Sequence, residues 1–398
     1  MKKLLILGGG TLQVAVILKA KEMGLFTVVI DGDPNAKGFA FADKKIIHSI
    51  SDIDKLLYIA KQENIHGVIH PCSEIAIRAM GKINEAMGLS GIFEETAIKV
   101  TNKEKMRNAF KENNAPSPIS YGASNILDAF IITKKITGDI IIKPSRNSGS
   151  RGVTRIPADS DYDEIIIAFD RAMENSYDES VVIEQYIDGP EFSVEIVIWK
   201  NNPKVITVTD KLTTGNPYFV ELGHSQPSQF SEQELNSIKN AAISGCIALG
   251  LDNCVVHAEI KLHDNIPYII EIGARLGGDF ISTVLVHLST GVDLTAAAID
   301  IAMGNEPNLK PNHEVQGAAI RYFTPNEGKL NKLLLPNFKN NCKVVDFEIY
   351  KQIGDIISPI KSSLDRSGHI ITTGSDAQDA IILAEMFLNS IEYNIEVN

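Results

Sequence analysis

Short apolar runs alternate with amphipathic stretches over residues 1 to about 100. Lys3–Leu7 predicts a buried strand, with Gly8-Gly9-Gly10 as the turn that follows it. Leu12–Met23 predicts a helix, Thr27–Asp31 a strand, Ile53–Glu63 a helix, Gly67–His70 a strand and Glu74–Met87 a helix. Apolar strands alternating with helices in this way predict a doubly wound α/β domain on a parallel sheet. Gly8 and Gly10 invite comparison with a dinucleotide fingerprint, and Asp31 and Asp33 end the second strand where a ribose-binding acid belongs. Gln13, however, stands at the third glycine position, which favours a tight turn in a domain that binds no dinucleotide. The carboxyl ends of these strands remain a natural rim for a small-molecule substrate.

The pattern then changes to α+β. Residues 101–115 predict a helix with Thr101 or Asn102 as its N-cap, ended by Pro116 and Pro118. Lys103 lies in its first turn, against the helix dipole, where an exposed lysine is ordinarily just solvated. A strand at Ile140–Ile142 delivers Lys143, and Ser145–Gly152 follows as a loop of small, flexible and cationic residues before the chain extends again at Val153. Such a loop suits phosphate oxygens, because glycines let backbone N–H groups approach and cations add donors. It equally suits a polar hairpin loop, and the G-x-x-x-x-G-K-[ST] spacing of a Walker loop is absent. Residues 181–199 predict two apolar strands around Asp188-Gly189-Pro190, with Glu184–Ile187 as the exit from the first. Glu191, Ser193 and Glu195 alternate on one face of the second, a place for a ribose or simply a solvated face. Residues 207–227 bring Asp210, Lys211, Glu221 and His224 around one loop, ahead of a helix at Glu232–Leu249.

The stretch from Val255 to Phe280 carries the most chemistry. Val255–Leu262 and Pro267–Ile272 predict a hairpin turning about Asn265, which sets Glu259 opposite Glu271. Two carboxylates facing each other across an antiparallel pair repel. A hard cation between them reverses the sign, because Mg²⁺ takes one or two carboxylates and completes its shell with phosphate oxygens and water. Arg275 and the Gly277-Gly278 turn follow at once. Beyond a helical stretch at 281–304 interrupted by Gly291-Val292-Asp293, the Pro/Asn/Lys-rich segment 306–311 marks a boundary. Strands at Gly317–Phe323, Val344–Tyr350 and Ile370–Thr372 and a helix at Ala377–Leu388 then predict a small α+β cap.

Composition narrows the function classes. A net charge of −12 argues against a nucleic-acid surface. Cys72, Cys246, Cys254 and Cys342 are scattered and read as reduced thiols. No run approaches the ~18 apolar residues of a membrane span. A cytoplasmic location, with no membrane partner, is the expectation.

These blocks, in this order, resemble the ATP-grasp carboxylate–amine ligases over nearly the whole chain. The resemblance implies a three-domain architecture. A Rossmann-like domain covers 1–100, the ATP-grasp domain 101–310 with a flexible lobe at about 115–183, and a small α+β domain 311–398. It implies ATP and Mg²⁺ (or Mn²⁺) as cofactors, and small-molecule carboxylate and amine substrates; a homodimer is compatible with it. Lys103 and Lys143 match the nucleotide lysines, and Ser148, Gly149, Ser150 and Gly152 the phosphate loop. Glu184, Gln185 and Ile187 match the adenine hinge, Glu191 the ribose acid, Glu259 and Glu271 the metal acids, and Arg275 the arginine that steadies the acyl group. Lys211, Glu221 and His224 look most like the L-amino-acid ligase branch, in which an acid and a histidine three apart face the amino acid. Gly277 and Gly278 flank the substrate there, and Asp279 stands where the dipeptide-forming branch can carry a bulky specificity residue. One departure is Gly273, where many members carry Asn. The implied reaction activates a carboxylate as an acyl phosphate and joins it to an amine. Alternatives are a ligase of nucleotide metabolism, resembling phosphoribosylglycinamide synthetase or carbamoyl-phosphate synthase, and a non-catalytic ATP-binding module.

Overall fold

A computed structural model describes residues 1–147, 149–336 and 342–396. The first four strands, β1 (Lys3–Leu7), β2 (Phe26–Asp31), β3 (Lys44–Ile47) and β4 (Gly67–Ile69), form a parallel sheet in the order β3-β2-β1-β4. The alternation of side chains along β1 places Leu5 and Leu7 in one core and Leu4 and Ile6 in another. Helices α1 (Val14–Glu22), α2 (Ile53–Glu63) and α3 (Ile77–Met87) cover the two faces, as the doubly wound reading expects. The β3 strand was not legible in the sequence, because its residues are largely exposed and carry two lysines. Helices α4 (Glu94–Val100) and α5 (Lys103–Glu112) follow, and α5 is capped by Asn102, whose side chain accepts from the Lys105 N–H at 2.9 Å.

Residues 120–185 form a separate lobe. Strands β5 (Ser120–Ala123), β6 (Ile140–Pro144), β7 (Thr154–Ile156) and β8 (Val181–Gln185) pair antiparallel in the order β5-β8-β6-β7. Helices α6 (Ile126–Thr133) and α7 (Tyr162–Glu174) bury Ala129, Ile132, Ala168, Phe169 and Ala172 in a core distinct from the other two.

The remaining strands build one eight-stranded sheet. β9 (Glu191–Trp199), β10 (Asn202–Thr213), β11 (Glu221–Gln226), β12 (Cys254–His263) and β13 (Ile266–Gly273) supply five of its strands, with α8 (Glu232–Leu249) packed on them. Residues 281–302 are a π-helical turn, then α9 (Val286–Thr290) and α10 (Leu294–Ala302), broken at left-handed Gly291. No single described helix is long and apolar enough to cross a membrane.

The segment 306–311 is not a sheet boundary. β14 (Gly317–Phe323) is buried along its whole length and pairs with β11, so it continues the core sheet. β15 (Gly328–Leu334) leaves that sheet, β16 (Val344–Ile349) returns to it, β17 (Ile356–Ile357) pairs with β15, and β18 (Gly368–Gly374) lies between β14 and β16. After α11 (Ala377–Asn389), β19 (Glu392–Glu396) completes the three-stranded sheet β17-β15-β19. The C-terminal residues are thus half cap and half core extension. An apolar strand reports that it is buried, not which neighbour buries it.

Candidate active site

The β12–β13 hairpin turns through two residues, Asp264 and Asn265, both left-handed (φ 49 and 63) as a tight two-residue loop requires. The turn alone would set Glu259 opposite Ile270; a bulge at Ile270 shifts the register by one residue and sets Glu259 opposite Glu271. Each acid has its own lysine: Lys211 Nζ is 3.1 Å from Glu259 and Lys103 Nζ is 3.2 Å from Glu271. Burial pushes both carboxyls up, but these cations, with His257 beside Glu259, hold both below the usual carboxylate range.

One cavity gathers most of the residues singled out from the sequence. Lys103, Lys143, Gly149, Ser150, Glu184, Gln185, Ile187, Glu191, Lys211, Glu221, Glu259, Glu271 and Arg275 line it. Gly152, His224, Gly277 and Gly278 do not, and Ser148 lies outside the described residues. His224 is buried at the rim of the C-terminal segment, with Nε2 at 3.4 Å from Asp279. Arg366 holds Asp279 with two hydrogen bonds of 2.8 and 2.9 Å. Gly277 lies behind the cavity wall. A Cβ there would come within 2.6 Å of His257 Nδ1, so glycine is what lets the turn pack against that ring.

The lysines are not solvated. Lys103 is 8 % exposed, and its ammonium donates to the Asn147 carbonyl at 2.8 Å as well as to Glu271, which offsets its position at a helix N-terminus. Lys143 and Arg107 share the Glu184 carboxylate, Arg107 Nε at 3.0 Å and Lys143 at its other oxygen. Glu184 is therefore a buried counter-ion between two cations, while Gln185, Tyr186 and Ile187 continue along the cavity. Lys211 is a hub with Glu191 at 2.5 Å, Glu259 at 3.1 Å and Glu221 at 3.7 Å.

Several lining residues went unnoticed in the sequence. Glu74, in the turn after β4, comes within 3.5 Å of Arg275 and faces Glu271. Burial and Glu271 push its pKa up to about 8. His257 stands two residues before Glu259 on the same strand face, a spacing that could have flagged it. Its Nδ1 is 2.5 Å from Glu195, whose other oxygen accepts from Ser282 Oγ at 2.7 Å. Phe219 and Lys261 add an aromatic and a cationic wall. Glu195 and Ser193, read as a solvated face or a ribose site, are fully buried.

Among the described residues no cluster of three or more ligating side chains forms a ready-made metal cage. Two adjacent carboxylates suit Mg²⁺, which is held by one or two carboxylates plus phosphate oxygens. Glu259 and Glu271 are that donor set, and they carry charge in the folded chain. The residues therefore fit a nucleotide-bound Mg²⁺ rather than a metal held by protein alone.

Fold and cavity together combine a doubly wound N-terminal domain, a four-stranded lobe and a core sheet around one strongly charged cavity. Three family models match successive segments: the ribonucleotide synthetase preATP-grasp domain over residues 1–89, the ATP-grasp domain over 136–284 and the L-amino acid ligase C-terminal domain 2 over 321–396. The chain thus carries an ATP-grasp domain followed by an L-amino acid ligase C-terminal domain, the combination found in ADP-forming carboxylate–amine ligases that use ATP and Mg²⁺. The crystal structure of phosphoribosylglycinamide synthetase from Anaerococcus prevotii is similar over 99 % of this chain and 100 % of that one, at 25 % identity and a TM-score of 0.80. That of L-amino acid ligase from Bacillus licheniformis is similar over 100 % and 99 %, at 21 % identity and a TM-score of 0.83. The alanine–anticapsin ligase of Bacillus subtilis (strain 168) is 27 % identical over 226 residues, which is 52 % of this chain and 48 % of that protein.

Proposed function

We propose that the chain activates an amino acid, or an amino-acid-like carboxylate, as an acyl phosphate and joins it to an amine, releasing ADP and phosphate. The observation that carries the reading is the convergence of Lys103, Lys143 and Arg275, from three separate segments, on the facing pair Glu259 and Glu271. A carboxylate is a poor electrophile, and phosphorylation gives it a good leaving group. Lys103 and Lys143 would orient the β- and γ-phosphates, with Glu259 and Glu271 holding the metal, which neutralises phosphate charge when bound. The substrate carboxylate attacks the γ-phosphorus and ADP leaves. The amine then attacks the acyl carbon and phosphate leaves. Arg275, held near the acids by Glu74, would balance the tetrahedral oxyanion, and Glu221 would meet a substrate ammonium.

A phosphoribosyl substrate is the second reading, favoured by the similarity to phosphoribosylglycinamide synthetase. One contact weighs against it at the N-terminal glycine turn. The Gly9 N–H, a donor that a phosphate would use, is taken by the Asp31 carboxylate at 2.7 Å. The C-terminal match to the L-amino acid ligases points the same way. The test is release of ADP and phosphate by the purified chain with Mg-ATP, with amino acids singly and in pairs and, in parallel, phosphoribosylamine plus glycine. Turnover with an amino-acid pair supports the first reading. Turnover only with phosphoribosylamine supports the second, and ATP binding without turnover leaves a binding module.

A further inference from the structure

Behind the phosphate end of the cavity, one carboxylate ties three parts of the chain together. Asp178 lies in the connection from α7 to β8. It accepts from Asn102 Nδ2 at 2.9 Å, from Arg78 Nη2 at 3.2 Å and from Arg146 Nη1 at 3.4 Å. Asn102 caps the helix that begins with Lys103. Arg78 belongs to α3, and its Nε also reaches Thr101 Oγ1 at 2.8 Å. Arg146 stands three residues after Lys143, at the root of the glycine-rich loop.

Backbone bonds knit the same place. The Ser145 N–H donates to the Ser180 carbonyl at 3.0 Å, and the Tyr177 N–H donates to the Arg146 carbonyl at 3.2 Å. Asn147 Nδ2 donates to the Asn175 carbonyl at 2.6 Å. From the other side the Lys103 N–H donates to the Ser145 carbonyl at 2.8 Å, and its ammonium to the Asn147 carbonyl at 2.8 Å. Residues 145–147 are therefore gripped between the Asp178 segment and the start of α5.

We propose that Asp178 is a positioning residue. It clasps α3 and the cap of α5 to the root of the phosphate loop, and so sets Lys103 and residues 145–147 at the spacing that nucleotide phosphates require. An ordinary surface ion pair would not need this arrangement. Here one carboxylate separates two guanidiniums drawn from parts of the chain that are distant in sequence. Removing it leaves Arg78 and Arg146 facing each other, where the Arg146 guanidinium, after burial, weighs against the Arg78 charge. The effect on nucleotide rests on the ligase reading above; the clasp itself does not.

The experiment separates the two. Hydrogen exchange is followed at residues 101–103 and 145–147 in nucleotide-free wild type, Asp178→Ala and Arg78→Gln, with global unfolding measured beside it. Both variants are expected to lose protection at these amides while global unfolding stays cooperative. With Mg-ATP and substrates, Asp178→Ala is expected to raise the KM for ATP about tenfold or more, the scale of a lost charge-assisted bond, and to change kcat and the second substrate's KM little. Arg78→Gln removes only the α3 arm and serves even where Asp178→Ala does not fold. Unchanged exchange at residues 145–147 in Arg78→Gln, or in a folded Asp178→Ala, overturns the proposal. Altered exchange in a chain whose wild type binds no ATP upholds the clasp and overturns the ligase reading.

Discussion

Glu259 and Glu271 face each other across the β12–β13 register, yet each is neutralised by a lysine from a different place, Lys211 of β10 and Lys103 of α5. The pair is thus charged and balanced before any cation arrives. Replacing either acid with alanine takes away half of the carboxylate donor set and leaves a buried lysine short of a partner. Glu271→Ala is expected to lower ATP turnover by at least ~100-fold, because an open metal site loses much of its transition-state charge stabilisation. Measuring ADP release against Mg²⁺ concentration checks this. A wild-type rate and Mg²⁺ dependence would remove Glu271 from the metal role.

Gly273 has a structural reason in this chain. A Cβ there would lie 3.2 Å from Arg275 Cγ and 3.3 Å from its Nε, so the arginine folds back over the space a side chain would fill. Gly273→Asn is therefore expected to push the guanidinium away from Glu74 rather than add a useful metal ligand. It should lower kcat by roughly tenfold or more and leave the KM for Mg-ATP near wild type, as does loss of a group that acts on the transition state. Arg275→Ala should show the same split more strongly. A variant with raised Mg²⁺ affinity and full kcat would show that the asparagine can be accommodated without moving Arg275.

Legibility followed how local the cause was. The Glu259–Glu271 pairing was readable because its causes lie within about twenty residues, although the two-residue turn alone would set Glu259 opposite Ile270 and a bulge there restores the pairing that a turn centred on Asn265 predicts. Lys143 was readable because a strand runs straight into a glycine-rich loop. The burial of Lys103 was not, since helix position alone argues for solvent and its partner Glu271 lies 168 positions away. Glu74 was missed for the same reason, being 201 positions from Arg275. Family resemblance led to Glu184 as a hinge residue, but the two cations that occupy its carboxylate come from α5 and β6, a packing no motif encodes. The β14 strand's union with β11 was equally out of reach, because an apolar strand does not name its neighbour.

The environment of Glu184 sets up a test between a stabilising and a nucleotide-contacting role. Glu184→Gln leaves Arg107 and Lys143 buried against a neutral amide. Breaking a buried ion pair by removing one partner typically costs about 3–5 kcal/mol. The expectation is a loss of that order in urea unfolding of the nucleotide-free chain. A residue that only touched adenine would leave stability unchanged and affect the KM for ATP alone. Equal stability of variant and wild type would assign Glu184 to the nucleotide.

His257 and Glu74 make the stability of the metal-free chain depend on pH. Burial lowers the His257 pKa, but the Glu195 carboxylate 2.5 Å away more than offsets this and brings it to about 9, above its ordinary 6.5. A histidine with a raised folded value contributes stability that is fully present below pH 6.5 and lost as pH rises through about 9. The amount at stake is about 3 kcal/mol at ~1.4 kcal/mol per unit. Glu74, raised to about 8 by burial and by Glu271, is a carboxyl the fold prefers protonated. Its contribution also falls with rising pH, through the earlier window from 4.5 to about 8. Urea unfolding in EDTA without nucleotide, stepped from pH 5 to pH 9.5, should therefore show a continuous decline above that expected for exposed groups. His257→Gln should flatten it mainly between pH 6.5 and 9, and Glu74→Gln mainly below pH 8. If His257→Gln declines between pH 6.5 and 9 as steeply as wild type, the imidazole is neutral in the folded chain and Glu195 draws its compensation from Ser282 instead.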